Sequence, residues 1–275
     1  MADFRYAICN ETFQDWEHDR VCRFVASLGY AALEIAPFTL APLITDVTAE
    51  QRQTLRHQAE DAGIRILGLH WLLAKTTGFH LTSADAATRA RTAEYLGELA
   101  RCCRDLGGDI LVFGSPGQRS YPPGTTPDQA RQRTLEVLRW VLPVLEDCGV
   151  TLCLEPLTPS ETNWINTCAE AVSLIDELGH AQVRLHQDVK AMSAEAEPIP
   201  TLIERYAAYT RHFHANDPNL RGPGFGAVDF VPIFAALAAS GYSGYVSVEV
   251  FDYSPDPETI ARDSIHYMRQ CAGQV

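Results

Sequence analysis

The chain has 275 residues, 46% hydrophobic and 21% charged, a composition typical of a globular protein with one large core. Its formal net charge of −13 argues against a surface that binds nucleic acid, although a local pocket could still hold a small anionic substrate. No apolar run approaches the ~20 residues that a membrane-spanning helix needs, and no signal peptide precedes residue 10.

The eight cysteines could indicate a disulfide scaffold, but the chain is too long for that class of small secreted domain. Cys9 and Cys153 lie in apolar runs, and Cys102 and Cys103 lie in a helical pattern. The sequence contains no CxxC motif, so nothing in it predicts a zinc knuckle. We therefore predict free thiols and a cytoplasmic location.

Short apolar runs recur along the chain, and each is followed by a segment with apolar residues at helical spacing. The runs are mainly apolar instead of alternating, so the strands they predict should be buried on both faces, as in a parallel sheet. The predicted strands span residues 5–10, 31–38, 64–73, 109–117, 150–157, 183–189, 212–217 and 244–251.

A helix is predicted after each strand from capping residues, helical spacing and glycine stops. Asp15 or Asp19 is expected to start the first helix, Ser83 to cap the third and Asp229 to cap the seventh. Thr167, with Glu170 three residues later, predicts a capping box for the fifth helix. The other predicted helices span residues 48–62, 127–148, 200–209 and 257–270.

Eight strand–helix units and no second compositional zone predict a single-domain (β/α)₈ TIM barrel over residues 1–275. A doubly wound sheet is the alternative. It would have fewer strands and a glycine-rich phosphate turn after the first strand, and residues 9–13 (CNETF) do not form such a turn.

Four candidate metal ligands end four consecutive predicted strands: Glu155, Asp188, His214 and Glu249. Successive members are 33, 26 and 35 residues apart, and one unit of a barrel of this size is roughly 31 residues long. Any one of these carboxylates could be an ordinary solvated residue or a helix cap. Their regular spacing predicts instead that all four lie at the same height on the rim of the barrel.

Three carboxylates buried together need a compensating positive charge, and Lys190 is the one basic residue close to these strand ends. A divalent cation would compensate them. Three oxygen donors and one imidazole suit Mn²⁺, Mg²⁺, Co²⁺ or Fe²⁺, and Zn²⁺ is also compatible. Glu155 and Glu249 would then face each other across a hydroxy-carbonyl substrate, one removing a carbon-bound proton and the other returning it through an enediolate.

Four segments, LEPLTPSETNWINT, HQDVKAM, HFHANDPNLRGPGFGAVDF and GYVSVEVF, resemble the sugar phosphate isomerase/epimerase superfamily of xylose isomerase-like TIM barrels. That superfamily includes ketose 3-epimerases, inosose isomerases and dehydratases, hydroxypyruvate isomerases and, more distantly, endonuclease IV. The resemblance covers most of the chain. It implies one divalent metal ion on Glu155, Asp188, His214 and Glu249, the two glutamates as acid and base, and Glu161 as a ligand for substrate hydroxyls.

The chain departs from the ketose epimerases at two places. Their histidine three residues after the metal-binding aspartate is Ala191 here, and their substrate-binding arginine six residues after the metal-binding histidine is Leu220. These departures argue against a 3-epimerase of free ketohexoses. Lys190 or Arg221 could supply the missing positive group toward a phosphate or carboxylate.

Three other functions are alternatives to a sugar isomerase or epimerase. A dehydratase of inosose or dehydroshikimate type would use the same metal site, and a barrel without chemistry would only bind a ligand. An endonuclease IV-like enzyme needs extra histidines after strands four, six and seven, which the chain lacks. We predict an isomerase or epimerase of a small carbohydrate, with no nucleic acid or membrane partner; a homo-oligomer is compatible with the sequence.

Several buried polar residues near the predicted rim are expected to support this site. His70 ends the third strand and is a candidate for substrate binding. Glu34 is expected to form a structural ion pair inside the rim. His186 and His212 precede Asp188 and His214 by two residues, so they should lie one layer deeper in the barrel.

Overall fold

The structure is a computed structural model that describes residues 4–275. Eight parallel strands form a closed barrel in which each strand pairs with its neighbours in chain order and β8 pairs with β1. The predicted (β/α)₈ TIM barrel is therefore confirmed. The strands are β1 (Arg5–Cys9), β2 (Ala32–Ile35), β3 (Arg65–Leu69), β4 (Ile110–Phe113), β5 (Thr151–Leu154), β6 (Val183–Asp188), β7 (Thr210–Ala215) and β8 (Tyr245–Val248).

Helices cover the outside of the barrel, and within residues 4–275 they outnumber the strands by one because β6 is followed by two. The additional helix, α6, is a single turn that the sequence analysis did not predict. The helices are α1 (His18–Leu28), α2 (Ala49–Asp61), α3 (Ala86–Asp105), α4 (Pro127–Cys148), α5 (Cys168–Leu178), α6 (Val189–Met192), α7 (Ile199–Tyr206), α8 (Val231–Ala239) and α9 (Pro257–Ala272).

The helix starts follow local capping chemistry. Thr48 forms a reciprocal capping box with Gln51, as expected for a threonine followed by glutamine three residues later. Asp85 caps α3, since its carboxylate accepts from two backbone N–H groups, so the predicted Ser83 cap was wrong by two residues. Helix α1 begins after Glu17, without a side-chain cap, between the two aspartates proposed for its start.

Two other predicted caps are partly realised. Thr167 accepts a hydrogen bond from the Glu170 backbone N–H, whereas the Glu170 carboxylate accepts from the Asn166 backbone N–H. The N-cap position of α8 is Phe230, but the carboxylate of Asp229 accepts from the Val231 N–H at 3.0 Å. In both cases the side chain satisfies a free backbone donor at the start of the helix.

The core lies inside the barrel and between the strands and the helices. Strands β2, β4 and β8 are buried along their whole length, which agrees with their mainly apolar sequences. All eight cysteines are free thiols, as predicted, and seven of them are buried. None of the helices described for residues 4–275 is both long enough and apolar enough to cross a membrane.

The register between β6 and β7 arranges the histidines in two layers. His186 is opposite His212, and two residues further along the strands Asp188 is opposite His214. Side chains two residues apart on a strand point to the same face, so all four point into the barrel. The Asp188–His214 layer is the one nearer the carboxyl ends of the strands, where barrel enzymes bind their substrates.

Candidate active site

Three of the four predicted ligands converge in the barrel mouth. Ligand atoms of Glu155, Asp188 and His214 lie within 4.8 Å of one another, together with a ring nitrogen of His186, and all four residues are buried. Glu249, which directly follows β8, contacts this group through His214, since its Oε2 lies 3.2 Å from His214 Nδ1. We call Glu155, His186, Asp188, His214 and Glu249 the rim cluster.

Glu249 is the carboxylate of the rim cluster with the most side-chain hydrogen-bonding partners, namely Trp71, His70 and His214. The indole Nε1 of Trp71 donates to its Oε1 at 2.7 Å, and His70 Nδ1 lies 3.3 Å from the same oxygen. Burial raises the pKa of Glu249, but His214 and His70 outweigh that effect and hold the pKa well below its usual range. Glu249 is therefore ionised at neutral pH.

His214 is held from the opposite side of the barrel by Glu34 of β2. His214 Nε2 lies 3.2 Å from Glu34 Oε2, and His212 Nε2 lies 2.7 Å from Glu34 Oε1. Burial raises the pKa of Glu34, yet the two imidazoles keep it well below its usual value. The expected ion pair of Glu34 inside the rim is thus present, and it fixes the orientation of the His214 ring.

Asp188 is held by its surroundings at both carboxylate oxygens. Its Oδ1 accepts from the Ala191 backbone N–H at 2.7 Å, and its Oδ2 accepts from Asn216 Nδ2 at 2.5 Å. Burial, followed by the negative charge of Glu249, raises the pKa of Asp188 to about 6. The side chain is therefore fixed in position while its ionisation is opposed by its neighbours.

Glu155 has the least favourable environment for a negative charge. Its carboxylate accepts no hydrogen bond from residues 4–275, and its nearest basic group is His186 Nε2 at 4.0 Å. Burial, and then the charges of Glu249 and Asp188, raise its pKa well above the usual range. Two carboxylates of one cluster thus have pKa values shifted in opposite directions.

His186 is a buried residue without hydrogen-bond partners. Neither Nδ1 nor Nε2 of its ring has one among the described residues. Burial, and then His214 and His212, lower its pKa well below the usual value, so the ring is neutral. Because buried polar atoms are rarely left unpaired, the His186 nitrogen that lies within 4.8 Å of ligand atoms of Glu155 and Asp188 would gain a partner from a group bound there.

Two cations lie close to the rim cluster. Lys190 Nζ donates to Glu161 Oε1 at 2.6 Å and lies 4.6 Å from the centre of the Phe251 ring. The guanidinium of Arg119 is fully buried and donates to the backbone carbonyl of Glu155 at 2.6 Å. Neither cation forms a direct ion pair with a carboxylate of the rim cluster.

The remaining predicted substrate-binding residues have different surroundings. His70 is fully buried and links Glu249 to Glu11, whose Oε2 lies 2.9 Å from His70 Nε2. The side chain of Arg221 contacts Asp252 and the Ser254 carbonyl in the loop after β8, and not the rim cluster. The structure therefore brings Glu161 and Lys190 together, while Arg221 is engaged elsewhere.

Asn216 and Arg119 support the site but were not predicted from the sequence to do so, and the hydrogen bond from Trp71 to Glu249 was not predicted either. Trp71 lies near the end of the third predicted strand, but its hydrogen bond to Glu249 spans 178 residues of sequence. Asn216 carried a stronger signal, since it follows His214 by two residues and so lies near the same edge of the barrel. Arg119 lies in a polar loop with no signal that its side chain is buried.

Residues 22–271 match the family model of the xylose isomerase-like TIM barrel. The chain belongs to this family. The D-psicose 3-epimerase of Ruminiclostridium cellulolyticum is 31% identical over 244 residues, which cover 86% of this chain and 80% of that protein. The 3-dehydro-D-guloside 4-epimerase of Escherichia coli is 31% identical over 173 residues, 61% of this chain and 66% of that protein.

A solved structure of a xylose isomerase-like barrel agrees with the fold. The crystal structure of a D-psicose 3-epimerase in the presence of D-fructose gives a TM-score of 0.85 at 23% identity, covering 98% of this chain and all of that one. Membership of the xylose isomerase-like family and the two epimerase relatives confirm the predicted superfamily. They also confirm the prediction of an enzyme of the sugar isomerase and epimerase class.

Proposed function

We propose that the protein is an epimerase or isomerase of a keto-sugar that depends on one divalent cation held by Glu155, Asp188, His214 and Glu249. The observation that carries the proposal is the convergence of three buried carboxylates and an imidazole in the barrel mouth. The named relatives, a D-psicose 3-epimerase and a 3-dehydro-D-guloside 4-epimerase, support a substrate with a carbonyl next to a carbinol carbon.

The donor set fits a divalent cation. Three carboxylates and one imidazole are hard ligands suited to Mn²⁺, Mg²⁺ or Co²⁺, with Zn²⁺ also compatible. The raised pKa values of Glu155 and Asp188 indicate a lack of positive charge where these ligands meet. Glu34 accepts from His214 Nε2, so Nδ1, the nitrogen nearest Glu249, is the one that would bind a cation once it has lost its proton.

A bound divalent cation would polarise the substrate carbonyl and so lower the pKa of the adjacent C–H group. The chain itself supplies the groups that move the proton. Glu249 is held in its ionised form by Trp71 and His70, so it is positioned to accept the proton as general base. Glu155, whose pKa is raised, is suited to return a proton to the opposite face of the carbon.

Glu161 and Lys190 are proposed to bind substrate hydroxyls. Glu161 is partly exposed at the mouth, whereas Lys190 is almost completely buried and fixes Glu161 through their ion pair. Burial lowers the pKa of Lys190, but Asp188 and Glu161 outweigh it and raise the pKa above the usual value. Lys190 therefore stays charged and keeps the Glu161 carboxylate ready to accept hydroxyl hydrogen bonds.

Metal analysis of the purified protein, followed by incubation with ketoses, inososes and their phosphates in D₂O, tests the proposal. The expected result is about one divalent ion per chain and deuterium uptake at a carbon next to the carbonyl, without loss of mass as water. A product lighter by one water would establish the dehydratase alternative instead. Absence of both exchange and water loss across the panel would contradict the proposed function.

A further inference from the structure

A large cavity opens beside the rim cluster, between the loop after β1 and helix α2. Its volume is about 1430 Å³, which exceeds the roughly 300–1,000 Å³ of pockets that enclose a whole drug-sized ligand. A single monosaccharide bound at the rim cluster would not need this space. We call it the side cavity; its lining includes Glu11, Gln14, Trp16, Gln58, Trp71 and Tyr253.

The side cavity begins one side chain away from the proposed general base. Trp71 lines the cavity and donates to Glu249 Oε1. Glu11 also lines it, and its Oε2 pairs with His70, whose other ring nitrogen lies 3.3 Å from Glu249 Oε1. One side chain thus separates the two spaces, and a substituent on a molecule held at the rim cluster would pass beside Trp71 to enter the side cavity.

The lining offers hydrogen-bonding groups that the chain does not use. Glu11 is only 4% exposed, yet its Oε1 has no hydrogen-bond partner among residues 4–275. That oxygen is enclosed by the chain, so the polar groups open to a ligand are those of other lining residues. The side-chain amides of Gln14 and Gln58 and the hydroxyl of Tyr253 make no hydrogen bond within the same residues.

The charge of the side cavity selects against an anionic ligand. The lining contains more acidic residues than lysines or arginines. Its one lysine is Lys75, and its acidic residues are Glu11, Asp15, Glu17, Asp19 and Glu50. A phosphate or carboxylate group would be repelled there. Aromatic rings among free amides and hydroxyl groups suit instead a neutral polyhydroxylated group, which presents C–H faces and hydroxyls together.

We propose that the side cavity binds a second sugar unit, so that the substrate is a keto-sugar carrying a neutral glycosyl substituent and not a free monosaccharide. This inference rests on the proposed function, because the keto end must lie at the rim cluster. The side-chain amides of Gln14 and Gln58 bind hydroxyls of the second unit, and the indoles of Trp16 and Trp71 form walls of its site.

Matched ligands test the proposal. The metal-loaded protein is titrated by calorimetry with D-fructose and with its 4-O- and 6-O-α-D-glucopyranosyl derivatives, which share the ketose and differ in the second unit. At least one disaccharide is expected to bind about tenfold more tightly than D-fructose, which corresponds to ~1.4 kcal/mol. Binding of all three within about threefold would overturn the proposal.

Variants that fill the side cavity test whether the tighter binding of the disaccharide arises there. Thr54 and Gln58 lie one helical turn apart on α2 and line the side cavity, whereas Gln53 on the same helix does not. Thr54→Trp and Gln58→Trp should each abolish the tenfold advantage of the disaccharide, and Gln53→Trp should retain it. An advantage that survives in both blocking variants would also overturn the proposal.

These titrations do not depend on turnover. Failure of the proposed function would show as an absence of deuterium exchange with every sugar. Failure of the side-cavity proposal would show as equal binding of D-fructose and its glucosides, whether or not exchange occurs. Deuterium exchange tests the proposed function and calorimetric titration tests the side-cavity proposal, so either proposal can be disproved without the other.

Discussion

The indole Nε1 of Trp71 lies 2.7 Å from Glu249 Oε1, and the indole ring stacks on Phe251 with the ring centres 5.7 Å apart. The backbone of Trp71 has φ 52°, in the left-handed region that a bulky residue rarely adopts. Such a conformation costs of the order of 1–3 kcal/mol and tends to occur at functional sites. The conformation brings the only N–H group of the indole onto a proposed catalytic carboxylate.

Trp71→Phe tests the importance of this hydrogen bond. Phenylalanine keeps an aromatic ring against Phe251 but removes the donor, so Glu249 loses one of its three partners. A hydrogen bond to a charged group contributes roughly 1.5–3 kcal/mol, so we expect kcat for sugar exchange to fall about tenfold or more. The measurement is the steady-state rate at saturating substrate.

Trp164→Phe is the matched control, because Trp164 Nε1 donates to Thr134 and not to a residue of the rim cluster. It removes the same group and should leave kcat within about twofold of the native value. Equal losses in the two variants would show that the Trp71 effect is general destabilisation.

The opposite environments of Glu155 and Glu249 lead to a second prediction. Glu155→Gln and Glu249→Gln should each lower kcat by about a thousandfold, within the usual range of 10²–10⁴ for general acid–base catalysis. Their effects on the metal-free protein should differ. Glu155→Gln removes a repelled carboxylate and should leave the melting temperature unchanged or raised, whereas Glu249→Gln breaks contacts with Trp71, His70 and His214 and should lower it.

Thermal unfolding in chelator and exchange kinetics with added Mn²⁺ are the two measurements. Glu258→Gln is the control. It removes a glutamate from an exposed ion pair with Arg20, so the melting temperature and the exchange rate should both stay unchanged. Native-like activity in both rim variants would exclude the paired-glutamate mechanism.

The barrel could be predicted because its signals are local. Continuous apolar runs, glycine stops and caps such as Thr48 each act within a few residues, and eight repeats of the unit leave few alternative folds. The four predicted ligands follow from strand register, because residues at equal height on neighbouring parallel strands meet at one rim. In the structure Glu155, Asp188 and His214 meet at that rim and Glu249 contacts His214, so spacing along the chain was enough to predict their positions, while their role as ligands stays a prediction.

Other parts of the site depend on contacts across the barrel that spacing does not encode. Glu34 reaches His212 and His214 from the far side, with 178 and 180 residues between the partners. His186 was assigned to a deeper layer, and its nitrogen nevertheless lies within 4.8 Å of the ligand atoms of Asp188 and His214. Side-chain length and tilt decide such contacts, and they emerge only once the barrel closes.

The raised pKa values of Asp188 and Glu155 predict that metal affinity depends on pH. A cation binds the ionised carboxylates, and the pKa of Asp188 in the metal-free chain is about 6. Below that pH protons compete for the same oxygens, so affinity for Mn²⁺ should fall by about tenfold per pH unit for each proton displaced. Above about pH 7 the dependence on Asp188 should disappear.

Calorimetric titration of the metal-free protein with Mn²⁺ at pH 5.5, 6.5 and 7.5, in buffers of different ionisation enthalpy, measures both affinity and released protons. Asp188→Asn should bind Mn²⁺ much more weakly and lose the corresponding proton. An affinity that stays constant from pH 5.5 to pH 7.5 would contradict the assignment of these carboxylates as ligands.

The ion pair between the buried Lys190 and the partly exposed Glu161 predicts coupled effects on substrate binding. Lys190 Nζ lies 2.6 Å from Glu161 Oε1, and the other Glu161 oxygen accepts from the Thr158 backbone N–H and hydroxyl. If Lys190 acts by positioning Glu161, Lys190→Met and Glu161→Gln should each lower kcat/KM by about tenfold, mainly through KM. The double variant should be no worse than either single one, because residues that act as a unit are not additive.

A double-mutant cycle on kcat/KM, with KM and kcat determined separately, provides the measurement. Arg205→Met, which breaks an exposed ion pair with Glu197, is the control for loss of a surface cation and should leave KM unchanged. Fully additive losses would mean that Lys190 contacts the substrate independently of Glu161. No change in KM in either single variant would remove both residues from the substrate site, because a carboxylate that binds a sugar hydroxyl cannot be neutralised without weakening that binding.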